Sequence, residues 1–199
     1  MKKFDRLPPA QRKEEIQAAA MKLFRQKGFG ATTMENIVDS VSLSKGGVYR
    51  LYPSTTAILQ DLILRGMHLR NEYYSSQVGR HIESGEKMDL RMLVEIVTDS
   101  LLLYPEYAEI YVEFLWEKQR NTALQLLYQQ ICKASVEETV ELIRQVGAQE
   151  LLLLRTDRLQ QMTDLMNSAI LSMYTLGLQE QFGQRREKIT EAILCLLNS

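Results

Sequence analysis

The chain has 199 residues, of which 45% are hydrophobic and 25% charged, fractions ordinary for a globular protein long enough to bury a core. Apolar runs such as Leu151 to Leu154 are far too short to cross a bilayer, and residues 1–15 contain no signal-peptide core. The two cysteines, Cys132 and Cys195, lie far apart, which argues against a disulfide framework or a metal cluster. We therefore expect a cytoplasmic protein with no membrane partner, metal or cofactor.

The charge is distributed unevenly, although the net charge is only −1. Residues 1–50 carry ten Lys and Arg against five Asp and Glu, whereas residues 51–199 carry fourteen against twenty. A basic head on an acidic body suits a protein whose first domain binds phosphates. Chance asymmetry is the alternative explanation.

Helical periodicity begins at the N-terminus and continues through almost the whole chain. The first helix ends at Gly28, and its apolar face consists of Ile16, Ala19, Ala20, Leu23 and Phe24. Thr32 followed by Glu35 predicts a capping box at the start of the second helix. Ser44 is the predicted N-cap of the third helix, and Pro53 with Ser54 separates it from the fourth.

Beyond residue 54 the predicted helices are longer, over residues 54–82, 88–103, 105–119, 122–148, 157–179 and 184–197. No alternation of β-branched residues indicates a sheet, so the predicted fold class is all-α with about nine helices. We divide the chain into a helix-turn-helix domain, residues 1–54, and a helical domain, residues 55–199. The fourth helix would belong partly to both.

Residues 12–59 contain three short helices with a tight turn before the third, which is a helix-turn-helix pattern. In this motif the third helix enters the major groove of DNA with its first residues against the base edges. The groove admits one helix and little else, so those residues must be small, polar or basic. The segment Ser44-Lys45-Gly46-Gly47 meets that demand, and double-stranded DNA is the predicted partner.

The region from Arg12 to about Leu62 also carries many type-matched positions at fixed spacing. They are the apolar face of the first helix, Gly28, Thr32-Thr33-Met34-Glu35-Asn36-Ile37 and Leu43-Ser44-Lys45-Gly46-Gly47-Val48-Tyr49. With these residues the chain resembles the TetR family of regulators. The resemblance implies a C-terminal ligand-binding domain and a homodimer that binds a palindromic operator, most often to repress transcription.

Three positions depart from the family pattern. Ser42 stands where the family turn usually has Gly, and Ser adopts a positive φ only at some cost. Leu51 and Tyr52 stand where the family often has His or Tyr followed by Phe. The family's Ser-Lys-Glu start of the fourth helix is Ser54-Thr55-Thr56 here, so a hydroxyl replaces a lysine phosphate contact. Operator sequence and affinity stay open.

The candidate DNA-binding residues are Thr33, Ser44, Lys45, Gly46, Gly47, Tyr49, Arg50, Tyr52 and Thr55. Arg50 can bind guanine O6 and N7 together, and Lys45 can reach a base or a phosphate. The resemblance implies that Tyr49 contacts DNA, through a thymine methyl or a phosphate. Thr33 can hold a phosphate or simply cap a helix, whereas Tyr52 suits a phosphate contact and core packing equally.

The second domain carries aromatic and methionine side chains at helical spacing, which predict a cavity for a small-molecule effector. The predicted ligand-binding residues are Tyr107, Tyr111, Phe114, Met162 and Met166. We expect a mostly apolar or aromatic ligand, and the nearby Glu106, Glu109 and Glu113 leave a cationic one open. Alternatively, these residues are the core of a helical bundle.

The last two long helices have apolar faces that could form a four-helix interface between two copies of the chain. The side chains concerned are Leu159, Met162, Leu165, Met166, Ile170, Met173, Ile189, Ile193, Leu196 and Leu197. The alternative is that these faces only close the core of one chain.

The expected function is sequence-specific regulation of transcription, most simply by a repressor that a small molecule releases from its operator. We do not expect an enzyme, because G-x-S-x-G, H-E-x-x-H and P-loop motifs are absent from the sequence. A third class is an architectural DNA-binding protein without a ligand. A preformed cavity in the second domain would favour the sensor over the architectural protein.

Overall fold

In the computed structural model, residues 8–85, 88–145 and 156–198 are described, and they form helices without a strand. The helices are α1 (Pro9–Lys27), α2 (Met34–Val38), α3 (Lys45–Leu51), α4 (Thr55–Ser84), α5 (Leu90–Ser100), α6 (Pro105–Glu117), α7 (Thr122–Gln145), α8 (Thr156–Thr175), α9 (Gln179–Gln184) and α10 (Arg186–Asn198). The all-α prediction is confirmed. None of the described helices is long and apolar enough to span a membrane.

The described helices number ten rather than about nine, because a short α9 lies between the last two predicted helices. Gly177 adopts a φ of 65°, and this left-handed residue ends α8 earlier than the periodicity suggested. Residues 146–148 of the predicted seventh helix, and the run from Leu151 to Leu154, lie outside the described residues.

The capping box of α2 lies one residue later than predicted. Thr33, not Thr32, is the N-cap: its hydroxyl accepts from the Asn36 N–H at 3.2 Å, and its own N–H donates to Asn36 Oδ1 at 3.0 Å. Thr32 is buried, and its hydroxyl donates to the Gly28 carbonyl at 2.9 Å. The Thr32 hydroxyl is therefore already hydrogen-bonded to the residue that follows α1, and Thr33 caps α2 instead.

The turn between α2 and α3 is built without backbone strain at Ser42. Tyr104 is the one non-glycine residue with positive φ in the described part of the chain, so Ser42 does not adopt the left-handed conformation. Its N–H donates to Glu15 Oε1 at 2.6 Å, which anchors the turn on α1. The predicted N-cap of α3 is confirmed, since Ser44 Oγ accepts from the Gly47 N–H at 3.2 Å.

Two hydrophobic clusters form the core, and α4 contributes to both. The first cluster joins α1 to α4 with α6 and α7, through residues such as Phe24, Val48, Leu62 and Phe114. The second joins the C-terminal half of α4 to α5, α7, α8, α9 and α10. The first cluster crosses residue 54, so the helix-turn-helix packs directly on α6. The division of the chain at residue 54 stays a prediction.

The apolar faces of α8 and α10 point into the second cluster. Most of the side chains assigned to a dimer interface are buried within one chain, namely Leu159, Met162, Met166, Met173, Ile193 and Leu197. They close the core because α8 and α10 pack against each other, and α10 packs on α5. Leu165 of that set is 42% exposed and faces away from the cluster.

Candidate DNA interface and ligand cavity

Most of α3 is exposed, and one of its side chains is buried. Val48 is fully buried against the first cluster, whereas Lys45, Gly46 and Arg50 are exposed and Tyr49 is 39% exposed. Lys45 and Tyr49 are four residues apart and share a helix face, and both are exposed, as is Arg50 next to Tyr49. The structure thus brings together on α3 the side chains that the sequence assigned to the major groove.

The two glycines of α3 have different local roles. A Cβ atom on Gly47 would lie 3.3 Å from Ser44 Oγ, so glycine here leaves room for the N-cap. A Cβ atom on Gly46 would meet nothing within 4 Å among the described residues. Packing within the chain therefore gives no reason for glycine at 46, where it costs about 1 kcal/mol of helix propensity. Close approach of another molecule to this backbone is a sufficient reason.

Lys45 and Arg50 differ in the partners they already have. Lys45 Nζ forms an exposed ion pair with Glu35 Oε1 at 3.1 Å, and the hydrogen bond to Glu35 raises the pKa of Lys45. Its ammonium also lies 6.0 Å from the centre of the Tyr49 ring. Arg50 forms no ion pair or hydrogen bond with any side chain of the described residues. Of these two cationic side chains, Arg50 is therefore the one without an ion-pair partner among the described residues.

The other candidates for DNA contact fall into two groups. The hydroxyls of Thr33 and Ser44 accept from backbone N–H groups as caps, which leaves each O–H able to donate outward. Thr55 is half-buried in the first turn of α4, next to the N-cap Ser54. Tyr52 is buried: its hydroxyl accepts from Gln17 Nε2 and donates to Asp61 Oδ2, both at 2.7 Å. Tyr52 therefore belongs to the core.

A cavity of about 130 Å³ lies among α4, α6, α7, α8 and the segment that precedes α6. Four of the five predicted ligand-binding residues line it, namely Tyr107, Tyr111, Met162 and Met166. Phe114 does not: it is fully buried in the first cluster, with its ring centre 5.7 Å from that of Tyr111. It lies about one turn of α6 beyond Tyr111 and packs in the first cluster instead of lining the cavity.

The cavity wall also contains charged and polar residues that periodicity did not single out, including Arg70, Ser135, Glu138 and Asn167. One signal was present in the sequence. Met67, Arg70 and Tyr74 follow helical spacing, so Arg70 shares a helix face with residues that point inward. A charge on an inward face is a sign of a site or a buried partner.

The carboxylates that suggested a cationic ligand do not line the cavity. Glu109 instead forms a two-point ion pair with Arg25 of α1, at 2.5 Å to Nε and 3.2 Å to Nη2. Glu113 Oε2 accepts from the backbone N–H of Phe29 at 2.9 Å. These two side chains tie α6 to the helix-turn-helix.

Tyr111 is held by a short chain of hydrogen bonds across three helices. Its hydroxyl donates to Asn167 Oδ1 at 3.0 Å, and Asn167 Nδ2 donates to the Tyr128 hydroxyl at 3.2 Å. Burial raises the pKa of Tyr111 above its usual range, and burial raises the pKa of Tyr128 to about 12. Both phenols are therefore neutral hydrogen-bonding groups at physiological pH.

An exposed helix-turn-helix joined to a cavity between long helices is an arrangement typical of DNA-binding regulatory proteins. Residues 16–62 match the profile of the family described as Bacterial regulatory proteins, tetR family. The match covers the helix-turn-helix, from within α1 to the first turns of α4.

A curated relative and two solved structures are similar to the chain. The uncharacterized HTH-type transcriptional regulator YfiR of Bacillus subtilis (strain 168) is 39% identical over 56 residues, 28% of this chain and 27% of that protein. The chain thus matches about a quarter of that relative's length.

The structure of Salmonella enterica GusR has a TM-score of 0.74 and 17% identity, over 98% of this chain and 100% of that one. Thermus thermophilus FadR, a TetR family transcriptional repressor in complex with lauroyl-CoA, has a TM-score of 0.60 and 21% identity, over 92% and 93%. At these identities, the two structures establish a shared fold.

Proposed function

We propose that the chain is a transcriptional regulator that binds a palindromic operator as a homodimer and leaves it when a small molecule fills the cavity. The observation that carries the proposal is the surface of α3, where Lys45, Tyr49 and Arg50 project around an unobstructed glycine at 46. A helix of this kind enters the major groove with its first residues against the bases.

Arg50 supplies the sequence readout in this proposal. Its guanidinium is exposed and has no partner among the described side chains, so it can bind guanine O6 and N7 without breaking an existing contact. Lys45, Thr33 and Ser44 supply phosphate contacts, because an ammonium and two cap hydroxyls lie at the starts of α2 and α3.

Two contacts can carry a change from the cavity to the DNA-binding surface. Tyr107 lines the cavity and packs on Gly66 of α4, the helix that follows directly after α3. Glu109, half a turn further along α6, holds Arg25 of α1. A ligand that binds one arrangement of α4 and α6 more tightly than the other shifts DNA affinity by that difference, typically about 1–3 kcal/mol.

The preformed cavity favours this sensor over an architectural protein without a ligand. A tight bundle of helices would leave no such space, because protein interiors are normally close-packed. The complex of Thermus thermophilus FadR with lauroyl-CoA supports a ligand-binding role for proteins of this fold.

Selection of bound oligonucleotides from a random pool, followed by gel shifts, tests DNA binding. We expect an inverted repeat with half-sites about one helical turn apart, about 34–36 Å between centres. The matched control is the same repeat with its half-sites moved apart by five base pairs, which places them on opposite faces of DNA. Failure of every selected sequence to outcompete random DNA would overturn the proposal.

The homodimer is tested separately by light scattering at micromolar concentration without DNA. The exposed side of α8 includes Leu165, 42% exposed, and we expect the variant Leu165→Glu to weaken the dimer. Leu126→Glu on α7 is the control, since Leu126 is 55% exposed on another helix. A wild-type chain that is a stable monomer contradicts this part of the proposal.

A further inference from the structure

We infer that the cavity takes a neutral ligand of about one ring, whose polar end both accepts and donates a hydrogen bond, with Arg70 and Glu138 as the residues that recognise it. A phenol is the simplest such compound. The inference rests on the proposed function, in which the cavity receives the effector. It starts from two side chains on the cavity wall that have opposite charge and one unpartnered buried atom each.

Arg70 is held in place but not fully partnered. Its Nη2 donates to Ser135 Oγ at 3.2 Å, and its guanidinium carbon lies 5.7 Å from the centre of the Tyr74 ring. Its Nε–H is buried and has no acceptor among the described residues. A buried donor without an acceptor is a costly arrangement, so this atom is available to a ligand that brings an oxygen.

Glu138 shows the complementary arrangement on the facing helix. Its Oε1 accepts from Asn71 Nδ2 at 2.8 Å, whereas its Oε2 is buried and no described residue donates to it. Asn71 follows Arg70 on α4, and Glu138 lies one turn after Ser135 on α7. The unpartnered donor and the unpartnered acceptor therefore lie along the same contact between α4 and α7.

The charges of the two residues select against an ionised ligand. A carboxylate that reached Arg70 would meet the carboxylate of Glu138, and an ammonium that reached Glu138 would meet Arg70. Such repulsion is strong where water is excluded. A hydroxyl has no net charge, and its oxygen can accept from Arg70 while its proton goes to Glu138. The positive and negative charges of the wall then remain balanced.

The remaining wall and the size of the cavity limit the rest of the ligand. Met67, Met162, Met166 and Ile170 provide an apolar and adaptable lining. The volume of about 130 Å³ is close to the roughly 150 Å³ of an engineered apolar cavity that binds benzene. A single ring or a short branched chain therefore fills the space without displacing a helix.

Four probes of similar size and different polar ends test the inference by isothermal titration calorimetry on the full chain. They are 4-methylphenol, toluene, benzoate and benzylamine. We expect 4-methylphenol to bind at least about tenfold more tightly than each of the others, because only it satisfies both unpartnered atoms without adding charge. Tighter binding of benzoate or benzylamine, or no binding of 4-methylphenol, would overturn the inference.

Charge-neutralising variants make the test specific to the two residues. Glu138→Gln leaves Arg70 unbalanced, so we expect benzoate to gain at least about tenfold in affinity, and Arg70→Gln should favour benzylamine in the same way. Glu137→Gln and Arg80→Gln are controls, since both residues are exposed on the same two helices. If Glu138→Gln and Arg70→Gln bind the four probes with the same relative affinities as the wild type, the inference fails.

DNA binding is measured on the same samples by gel shift, so the two failures can be told apart. If the probes do not bind as expected but wild-type protein still binds a selected operator, the inference about the ligand fails. The proposed function as a regulator is then retained, with a different ligand. Loss of specific DNA binding by the wild-type chain counts against the proposed function, whatever the probes do. Circular dichroism of each variant verifies that the helices are retained.

Discussion

Tyr107 lies against Gly66 so closely that a Cβ atom on Gly66 would be 3.1 Å from Tyr107 Cδ1 and 3.2 Å from Tyr107 Cβ. This contact brings α6 onto α4 beside the cavity, at the level where Tyr107 also lines the cavity wall. A Cβ atom at 66 therefore needs Tyr107 to give way by a few tenths of an ångström. The distance between α4 and α6 is thus set at a point that also lines the cavity.

Gly66→Ala tests this contact against Gly79→Ala in the same helix, where an added Cβ would meet nothing within 4 Å. Gly79→Ala should stabilise the chain by up to about 1 kcal/mol, because alanine is the better helix former. Gly66→Ala gains the same propensity but overpacks the contact with Tyr107, at a cost of about 1–3 kcal/mol. Urea unfolding should rank Gly66→Ala below Gly79→Ala in stability. Equal stability of the two variants would show that Tyr107 and α6 can shift away from residue 66 without a measurable loss of stability.

Arg50→Ala and Lys45→Ala should affect DNA binding differently. Loss of Arg50 removes a base contact, so we expect about 1–3 kcal/mol less discrimination at one base pair of each half-site. Loss of Lys45 removes a phosphate contact and should lower the salt dependence of binding by about one unit of slope, with sequence preference retained. Gel shifts at several salt concentrations measure both effects. Lys133→Ala, an exposed lysine on α7, is the control.

Glu35→Gln should strengthen DNA binding. The Glu35 carboxylate holds Lys45 Nζ at 3.1 Å on the surface proposed to meet DNA, and it would repel phosphates there. Its neutralisation releases the ammonium and removes that repulsion, so we expect a severalfold gain at low salt that fades at high salt. Glu137→Gln, on the exposed side of α7, should change nothing. Unchanged affinity in Glu35→Gln would mean that α2 lies away from the phosphate backbone.

Glu113 should contribute more to stability through one backbone hydrogen bond than through its charge. Glu113→Leu leaves the half-buried Phe29 N–H without its acceptor at 2.9 Å and should cost about 1–3 kcal/mol. Glu113→Gln retains an oxygen for that N–H, and we expect it to cost under about 1 kcal/mol. Thermal and urea unfolding distinguish the two cases. Equal losses in both variants would point to charge, not the hydrogen bond, as the origin of the stabilisation.

Tyr111 should make stability depend on pH in the alkaline range. Burial holds the pKa of folded Tyr111 above the value of about 10 that tyrosine has in an unfolded chain. Below pH 10 the phenol is neutral in both states, and its full contribution to stability is present. As pH rises above 10 the unfolded chain ionises first, so the free energy of unfolding falls.

Tyr111→Phe removes this dependence and serves as the comparison. The difference in unfolding free energy between wild type and variant should be constant up to about pH 9 and then shrink, as measured by urea unfolding at each pH. A difference that stays constant to pH 11 would place the hydroxyl of Tyr111 in contact with water. Tyr104→Phe is the matched control, since Tyr104 is 38% exposed.

Local signals in the sequence were sufficient for the helix-turn-helix. Gly28 ends α1, Ser44 caps α3, and Val48 is the buried residue of α3, because caps and helix faces depend on residues within one or two turns. The capping box was misplaced by one residue because the choice between Thr32 and Thr33 depends on a hydrogen bond to Gly28 in the preceding helix.

Periodicity could also identify which helix faces are apolar, but it could not say what those faces pack against. The sequence assigned Met162 and Met166 of α8 both to a cavity and to a dimer interface; they line the cavity, and with Met173 they are buried in the second cluster of one chain. Phe114 and Tyr107 lie on the same helix, and only the position of α4, α7 and α8 around α6 assigns one to the core and the other to the cavity.

The sequence by itself thus determined an all-α chain with an N-terminal helix-turn-helix, because helix periodicity and capping are local properties of consecutive residues. The tertiary structure alone decided which charges share the cavity. Arg70 and Glu138 are separated by about half of α4, all of α5 and α6 and most of α7 along the chain. Both line the cavity beside the contact between α4 and α7, because packing of whole helices, rather than spacing along any one of them, sets distances between remote residues.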